Sequence, residues 1–421
     1  MAFAFNTALS GLNANSTALN IVGNNIANAN TIGFRGSSIT FMDVYAGSGG
    51  ARLNGAGNNL QVGNGVQTGA IHTNFDQGNL VESGSPLHSA IQGNGFFVVR
   101  NPSGFNAYTR AGDFTVSRTG DLLSSNGGEV QGYMATNGVI VPGTVLSTIR
   151  FPIGQTIQPQ VTSEATFRMN LNASANTGAI FHATMQVFDS RGTERTLDLT
   201  FTRLADGTFD MTGTLDGVAV ETIVDGGAQS PNPVNFVFNT DGTLGSPTSL
   251  QIIPDQTQLG TAVLPSIDIK LRETNPDGTP GSFNITSYTG NSAVGSTSQD
   301  GYAAGELNGA AVDQDGFIFG IFSNGQSRVI GRFALATFNS NESLQRLGGN
   351  MFAETLTSGQ ATIGEPGSGG RGLLAGGYLE QSNVNITDEF VDLIQAQRGF
   401  QANSRVITTL NQTFQDLLQI V

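Results

Sequence analysis

The sequence predicts a mixed, mainly β protein in which nested β domains lie between an N-terminal and a C-terminal α-helix. Large apolar residues recur every seven positions at both ends of the chain, a period typical of packed helices. The middle is rich in Gly, with 57 in the chain, and only 12% of all residues are charged, which is typical of turn-rich β structure. Gly-rich segments occupy mirrored positions in the two halves. The order of elements is therefore nearly palindromic, and each element is expected to pair with its counterpart from the other end.

The first helix is predicted over residues 3–28. Its seven-residue series is Phe5, Leu12, Leu19 and Ile26. Gly11 and Gly23 lie inside it, and each costs about 1 kcal/mol of helix stability relative to alanine. Gly33 and Gly36 end the element. We expect a helix that is marginal alone and that needs a partner.

Two connectors are predicted next to the helices, at 31–69 and 358–379. Residues 46–69 are rich in Gly and Asn and predict a loose segment. The stretch GEPGSGGRG at 364–372 mirrors them. We expect the first connector to act as a hinge through five glycines, which are Gly47, Gly49, Gly50, Gly55 and Gly57.

Two β domains are predicted between the connectors. Residues 70–157 and 287–357 form the inner β domain, with short runs such as GFFVVR at 95–100. Residues 158–286 form an outer, inserted β domain, because they contain their own set of alternating strands. The two DGT turns at 206–208 and 241–243 separate some of these strands.

The last helix is predicted from about residue 386 to the end. Its seven-residue series is Ile386, Leu393, Phe400, Ile407, Phe414 and Val421. Residues 1–30 and 380–421 together predict a coiled-coil-like assembly domain. A core helix of the β body remains an alternative. A membrane-surface helix is disfavoured, because the polar face carries Gln and Asn rather than Lys and Arg.

Composition excludes several partners and compartments. The net charge is −14 and Lys270 is the only lysine, which argues against nucleic acid and anionic membranes. The chain has no cysteine, so disulfides and thiolate metal sites are excluded. No apolar stretch approaches 18 residues, so no membrane insertion is expected. The first residues do not form a Sec-type signal peptide, and these features alone predict a cytoplasmic protein.

No catalytic, cofactor or metal site is predicted, and we expect no enzyme. The three histidines, His72, His88 and His182, have no ligand-like spacing. Residues 313–316 resemble the start of a calcium loop, but Asn324 stands where a bidentate glutamate is required, so a β-turn is predicted. The Gly-rich stretch 47–57 lacks the Lys-Ser/Thr ending of a phosphate loop.

The two ends of the chain resemble the terminal signatures of bacterial flagellar rod and hook proteins. LNIVGNNIANANTIGFRGSSITF at 19–41 is similar to the N-terminal signature, and GYLEQSNVNITDEFVDLIQAQRGFQANSRVI at 377–407 to the C-terminal one. GNGFFVV at 93–99, YTRAGDFTVSRTGDLL at 108–123 and STSQDGYAAGEL at 296–307 extend the likeness into the body. The signature residues that this resemblance singles out are Asn24, Asn25, Asn28, Gly33, Phe34, Gln397 and Arg398.

The resemblance implies a structural subunit of a tubular helical polymer. The inserted region 158–286 favours a hook protein, with a distal rod protein as the alternative. The resemblance to hook proteins implies a curved, flexible universal joint that transmits torque from rod to filament, with the terminal helices innermost. It also implies partners: other copies of the chain, the distal rod protein, the hook cap protein, the hook-filament junction protein and the flagellar type III export apparatus. Export without a cleaved signal peptide would place the chain outside the cell, in the flagellum.

Two other classes of protein are alternatives to a structural polymer. A secreted acidic, β-rich adhesin would not need paired heptad series at its ends. A glycosidase-like β enzyme would need a cleft with convergent carboxylates. Only the structural polymer is expected to form tubes.

Overall fold

The computed structural model describes residues 2–45, 63–141, 145–205, 207–227, 229–231, 233–275, 277 and 279–420. Helix α1 (Ala2–Ala27) and helix α2 (Ile386–Ile420) lie at the two ends, close to the predicted bounds. The described residues between them form strands, turns and two short 3-10 helices, so the mainly β class is confirmed. The chain divides into unit 1 (Met1–Ile153, Gly309–Ile321 and Ser327–Val421) and unit 2 (Gly154–Asn308 and Phe322–Gln326).

The strands follow in chain order. Before unit 2 they are β1 (Ser37–Tyr45), β2 (Gly63–Thr73), β3 (Leu80–Glu82), β4 (Ser89–Gln92), β5 (Phe96–Arg100), β6 (Asn106–Thr109), β7 (Phe114–Val116), β8 (Leu122–Ser124), β9 (Glu129–Met134) and β10 (Ser147–Thr148). Next come β11 (Thr156–Ile157), β12 (Glu164–Asn170), β13 (Ile180–Phe188), β14 (Glu194–Ala205), β15 (Thr208–Leu215), β16 (Val218–Ala219), β17 (Glu221–Val224), β18 (Ser230–Pro231), β19 (Val234–Phe238), β20 (Leu244–Ser246), β21 (Leu250–Ile253), β22 (Ile267–Ile269), β23 (Arg272–Thr274), β24 (Pro280–Phe283), β25 (Ile285–Thr286) and β26 (Ala293–Gln299). The last are β27 (Gly305–Val312), β28 (Phe317–Phe322), β29 (Ser327–Phe333), β30 (Leu335–Thr337), β31 (Gln345–Gly348), β32 (Met351–Ala353), β33 (Thr362–Gly364), β34 (Leu373–Gly376) and β35 (Tyr378–Glu380).

The β core of unit 1 is built around β5. This strand pairs with β6 and β9 within the order β28-β29-β9-β5-β6-β32-β31. Its first four residues, FFVV, are all buried, as expected for a central strand covered on both faces. The ring of Phe97 contacts Phe114 edge-on, with centroids 4.9 Å apart, and Phe333 packs against both.

The predicted connectors differ from the structure where they are described. Residues 63–69 belong to strand β2, which pairs with β1 and packs along α1, and the backbone N–H of Val66 donates to Oγ of Ser10 at 3.2 Å. Within 358–379, β34 pairs with β4 and β35 pairs with β3. Backbone pairing holds these Gly-rich segments, although their composition predicts loops. The five hinge glycines lie outside the described residues.

Unit 2 has two sheets that share one core. The first has the order β13-β14-β15-β19-β20, and the second β18-β17-β21-β22-β12-β25, with β26 on the other side of β12. Burial alternates residue by residue along β13 and β15, as their sequence pattern predicts. The buried side chains form a single cluster in which the rings of Phe201 and Phe236 meet edge-on, 5.5 Å apart.

Unit 2 extends further along the chain than the predicted inserted domain. It runs from 154 to 308 with 322–326, whereas 158–286 was expected. The sequence predicts that residues 287–308 belong to the inner β domain, because they resemble its other segments. In the structure β26 pairs antiparallel with β12, from Ala165 opposite Gln299 to Asn170 opposite Ala293, and this pairing places them in unit 2.

Candidate functional site

Helices α1 and α2 pack antiparallel through two glycines and two asparagines. Asn15 Nδ2 donates to the carbonyl of Gly11 in α1 at 2.7 Å, and Asn403 Nδ2 donates to the carbonyl of Gly399 in α2 at 3.0 Å. A Cβ on Gly11 would lie 2.7 Å from Asn403 Nδ2, and one on Gly399 would lie 2.6 Å from Asn15 Oδ1. Each asparagine therefore fills the space that the glycine of the other helix leaves open. We call these four residues the Gly/Asn notches.

The buried face of α1 is made of small residues. Its members recur every three or four positions, and they are Ala8, Gly11, Ala14, Ala18, Val22 and Asn25. The predicted series lies beside this face, and all four of its members are half-buried: Phe5, Leu12, Leu19 and Ile26. Small side chains bring the two helix backbones close together. The predicted series does not include this face, because the members of the face are mostly small residues spaced three or four positions apart.

The predicted series of α2 divides into two parts. Leu393, Phe400 and Ile407 are half-buried, on the same side of the helix as Asn403. Ile386 and Phe414 are exposed, and Val421 lies outside the described residues. Five further large apolar side chains of α2 are also exposed: Phe390, Val391, Ile394, Val406 and Leu418.

The start of α2 is capped and is bonded to α1. Asn385 Oδ1 accepts from the backbone N–H of Thr387 at 3.0 Å, as an N-cap residue does. Asn25 Nδ2 donates to Glu389 Oε1 at 2.8 Å. Burial raises the pKa of Glu389, the hydrogen bond from Asn25 opposes the shift, and Asp392 and Asp388 add to it.

Asn25 also joins α1 to β1. Its Nδ2 donates to the carbonyl of Ser37 at 2.7 Å, and its Oδ1 accepts from the N–H of Ser37 at 3.0 Å. Asn28 Nδ2 donates to the carbonyl of Asn24 at 2.9 Å, within the last turn of α1. One asparagine of the signature therefore fixes the exit of the chain from α1, and two others close the helix end.

Gly33 and Phe34 continue this junction. Gly33 has φ +66°, and a Cβ there would lie 2.5 Å from the backbone N of Ala111, so only glycine fits. Its N–H donates to the carbonyl of Glu380 at 2.8 Å. Phe34 is buried, and the guanidinium of Arg346 lies 5.6 Å from its ring centroid.

A buried ion cluster lies next to this junction. Glu380 Oε1 is 2.6 Å from Arg35 Nη2, and its Oε2 is 3.4 Å from Arg110 Nη1. The N–H of Gly78 also donates to Glu380 Oε1, at 2.9 Å. Burial lowers the pKa of Arg110 to about 10, although the charge of Glu380 opposes this shift. One carboxylate thus joins segments from both ends of the chain.

Asn383 reinforces the same junction. Its Oδ1 accepts from the N–H of Gly36 at 2.9 Å, and its Nδ2 donates to the carbonyls of Asn74 and Asp76 at 2.9 and 3.0 Å. Neither Asn383 nor the ion cluster is among the site residues predicted from the sequence. The signal was present: in a chain with 12% charged residues, Arg35 and Glu380 each stand inside a terminal signature.

The remaining predicted residues do not join this junction. Gln397 and Arg398 are exposed on α2. His72 lies 3.5 Å from Glu342, and His182 lies 3.5 Å from Asp198. Among the described residues, no group of three or more His, Asp or Glu side chains could hold a metal ion, and no described helix is long and apolar enough to cross a membrane.

Four family models match the chain. They are the flagella basal body rod protein model at 5–35, the flagellar hook protein FlgE/F/G D1 domain at 90–168, the flagellar basal body protein FlaE D2 domain at 154–302, and the flagellar basal body rod FlgEFG protein C-terminal model at 375–420. The first and last of these contain the helix pair and much of its junction. The D2 model begins where unit 2 begins.

Full-length relatives agree with these models. The chain is 33% identical to the flagellar hook protein FlgE of Borreliella burgdorferi over 450 residues, which covers 98% of each protein. It is 31% identical to FlgE of Salmonella typhimurium over 433 residues, which covers 99% of this chain and 100% of the relative. The crystal structure of Helicobacter pylori flagellar hook protein FlgE2 has a TM-score of 0.51 and 14% identity, over 72% of this chain and 100% of that one, which supports the fold alone.

Proposed function

This chain belongs to the family of the flagellar hook proteins FlgE, and we propose that it assembles into the curved tube of a hook. In that tube each copy would be one structural subunit, and the polymer would act as a flexible universal joint between rod and filament. The role is mechanical and requires no catalysis. The distal rod alternative is not favoured, because the relatives that match nearly the whole chain are hook proteins.

The observation that carries this proposal is the uncovered apolar surface of α2. Packing with α1 leaves seven large apolar side chains of α2 exposed, and they are Ile386, Phe390, Val391, Ile394, Val406, Phe414 and Leu418. Ile386, Phe390 and Ile394 follow one another at four-residue spacing and so form a contiguous apolar stripe on α2, and exposed apolar surface of this kind marks an interaction site. Other copies of the same chain would cover it in the polymer.

We assign the parts of the subunit to layers of the tube on the same basis. The helix pair would form the innermost layer, the β part of unit 1 the middle layer, and unit 2 the outer layer. The hinge would lie in the first connector, at Gly47, Gly49, Gly50, Gly55 and Gly57. The likeness of the terminal signatures to those of rod and hook proteins supports this order.

The same likeness supports the remaining partners. The tube would contact the distal rod protein at its base, the hook cap protein during growth and the hook-filament junction protein at its tip. The subunit would reach the outside of the cell through the flagellar type III export apparatus. It would require no cleaved signal peptide.

Electron microscopy of the purified chain under polymerising conditions tests the proposal. The wild-type chain should form tubes. Phe414→Asp should prevent tube formation, because it places a charge at an exposed apolar position of α2 that assembly covers. Phe105→Asp is the matched control, since Phe105 is 76% exposed in the β5–β6 turn and lies outside the helix pair. Tubes from Phe414→Asp at the wild-type concentration would contradict the role of α2, and an absence of tubes from the wild type would contradict the proposed function.

A further inference from the structure

Unit 1 contains a cavity of about 260 Å³ beside the signature asparagines. Its walls come from Asn24 and Asn28 at the end of α1, from Phe34 and Arg35, and from Arg346 with the β31–β32 turn. The lining is mixed, because Met351 and Phe352 add apolar surface to the amides and guanidinium groups.

Arg346 brings an uncompensated positive charge to this cavity. Its guanidinium packs over the Phe34 ring and donates to the carbonyl of Arg35. Arg346 is exposed on β31, and in the described part of the chain no carboxylate pairs with it. A planar guanidinium held in this way is preorganised for bidentate binding of a carboxylate.

The neighbouring ion cluster does not supply the missing negative charge. Arg35 and Arg110 share the single carboxylate of Glu380. Arg35 is fully buried, and its Nε and Nη1 have no hydrogen-bond partner among the described residues. Arg35 and Arg346 therefore bring two guanidinium groups to the lining of the cavity, and no described Asp or Glu belongs to that lining.

We propose that this cavity receives the carboxylate of Asp392 from α2 of a second copy of the chain. The inference rests on the proposed self-assembly and names one of its contacts. Asp392 is exposed, and within the described residues it makes no hydrogen bond or ion pair. Asp388, one turn earlier, is already bonded to Asn385 at 2.8 Å.

The surroundings of Asp392 match the cavity. The exposed apolar side chains Phe390, Val391 and Ile394 lie within one turn of it. A segment that carries one carboxylate among apolar side chains fits a cavity that offers a guanidinium among Phe34, Met351 and Phe352. Within one copy Arg346 and Asp392 belong to the same unit and do not pair, which leaves both free for a neighbour.

A charge-reversal cycle tests this contact in the full-length chain. The critical concentration for tube formation is measured for the wild type, Arg346→Glu, Asp392→Arg and the double variant. Each single reversal should raise it by about tenfold or more, and the double variant should recover most of the loss. Arg118→Glu is the matched control, because this exposed arginine of unit 1 undergoes the same charge change away from the cavity. Thermal unfolding of each monomer separates a loss of assembly from a loss of folding.

The outcomes separate this inference from the proposed function. Tubes from either single variant at the wild-type critical concentration would overturn the contact alone, and so would a double variant no better than the worse single one. If the wild type and Arg118→Glu form no tubes, the proposed function fails and the contact with it. Recovery of the critical concentration in the double variant would support the pairing. If the single variants acted only through the general surface charge, a second reversal at the other site would not restore tube formation.

Discussion

Glu380 is one of the residues that bond the two ends of the chain to each other. It pairs with Arg35 and Arg110, and all three side chains are buried. We predict that Glu380→Gln destabilises unit 1 by about 3–5 kcal/mol, because it leaves two buried guanidinium groups without a counter-charge. Urea denaturation followed by circular dichroism measures the change in the free energy of unfolding.

The matched control for this change is Glu365→Gln. Glu365 pairs with Arg332 in the same unit, but its side chain is half exposed. Loss of this pair should cost less than about 1 kcal/mol, because water screens it. Equal losses of unfolding free energy in the two variants would show that burial does not strengthen the contribution of the Glu380 cluster to stability.

At the residue scale the sequence predicted some positions and missed others for physical reasons. Gly33 was selected as a family signature residue, and the structure shows a left-handed backbone pressed against Ala111 that requires glycine. The pair Arg35–Glu380 was missed, because its members lie 345 positions apart and no local periodicity connects them. Contacts of that range depend on the folded topology.

At the element scale, the two glycines inside α1 provide a test of helix packing. A Cβ on Gly23 meets nothing within 4 Å, whereas one on Gly11 would press on Asn403. Gly23→Ala should therefore stabilise the helix by about 1 kcal/mol. Gly11→Ala should gain less or lose stability, because Asn403 must leave its notch. Thermal unfolding of both variants, followed by helix ellipticity, measures the difference; equal gains would contradict the notch.

Elements with a strong local signal were predicted well. The bounds of both helices lie within a few residues of the prediction, because the apolar periodicity and the glycines after α1 mark them in the sequence. The first part of strand β2, residues 63–69, is predicted as a loop, because Gly65 and Gly69 weaken the strand pattern. Pairing with β1 and packing on α1 outweigh that local preference.

At the scale of the whole molecule, unit 2 should fold without the rest of the chain. Its core cluster lies entirely within residues 165–285, and β26 completes the second sheet. We predict that a fragment of residues 154–308 unfolds in one cooperative thermal transition. Circular dichroism and amide-proton dispersion in NMR spectra check this; a fragment 158–286 is the comparison, and it should be less stable because it lacks β26. An unfolded 154–308 fragment would mean that unit 2 depends on unit 1.

The Gly/Asn notches fix the position of α2 along α1 and resist sliding of one helix past the other. A slide of one turn, about 5.4 Å, in one direction would bring Asn15 opposite Asn403, where two side chains compete for one space. The same slide in the other direction would bring Gly11 opposite Gly399 and leave a void. Both steps are unfavourable, so the pair resists telescoping along its axis. A rotating hook lengthens on its convex side and shortens on its concave side. Because α1 and α2 of one subunit do not slide past each other, these changes in length have to be taken up by other contacts.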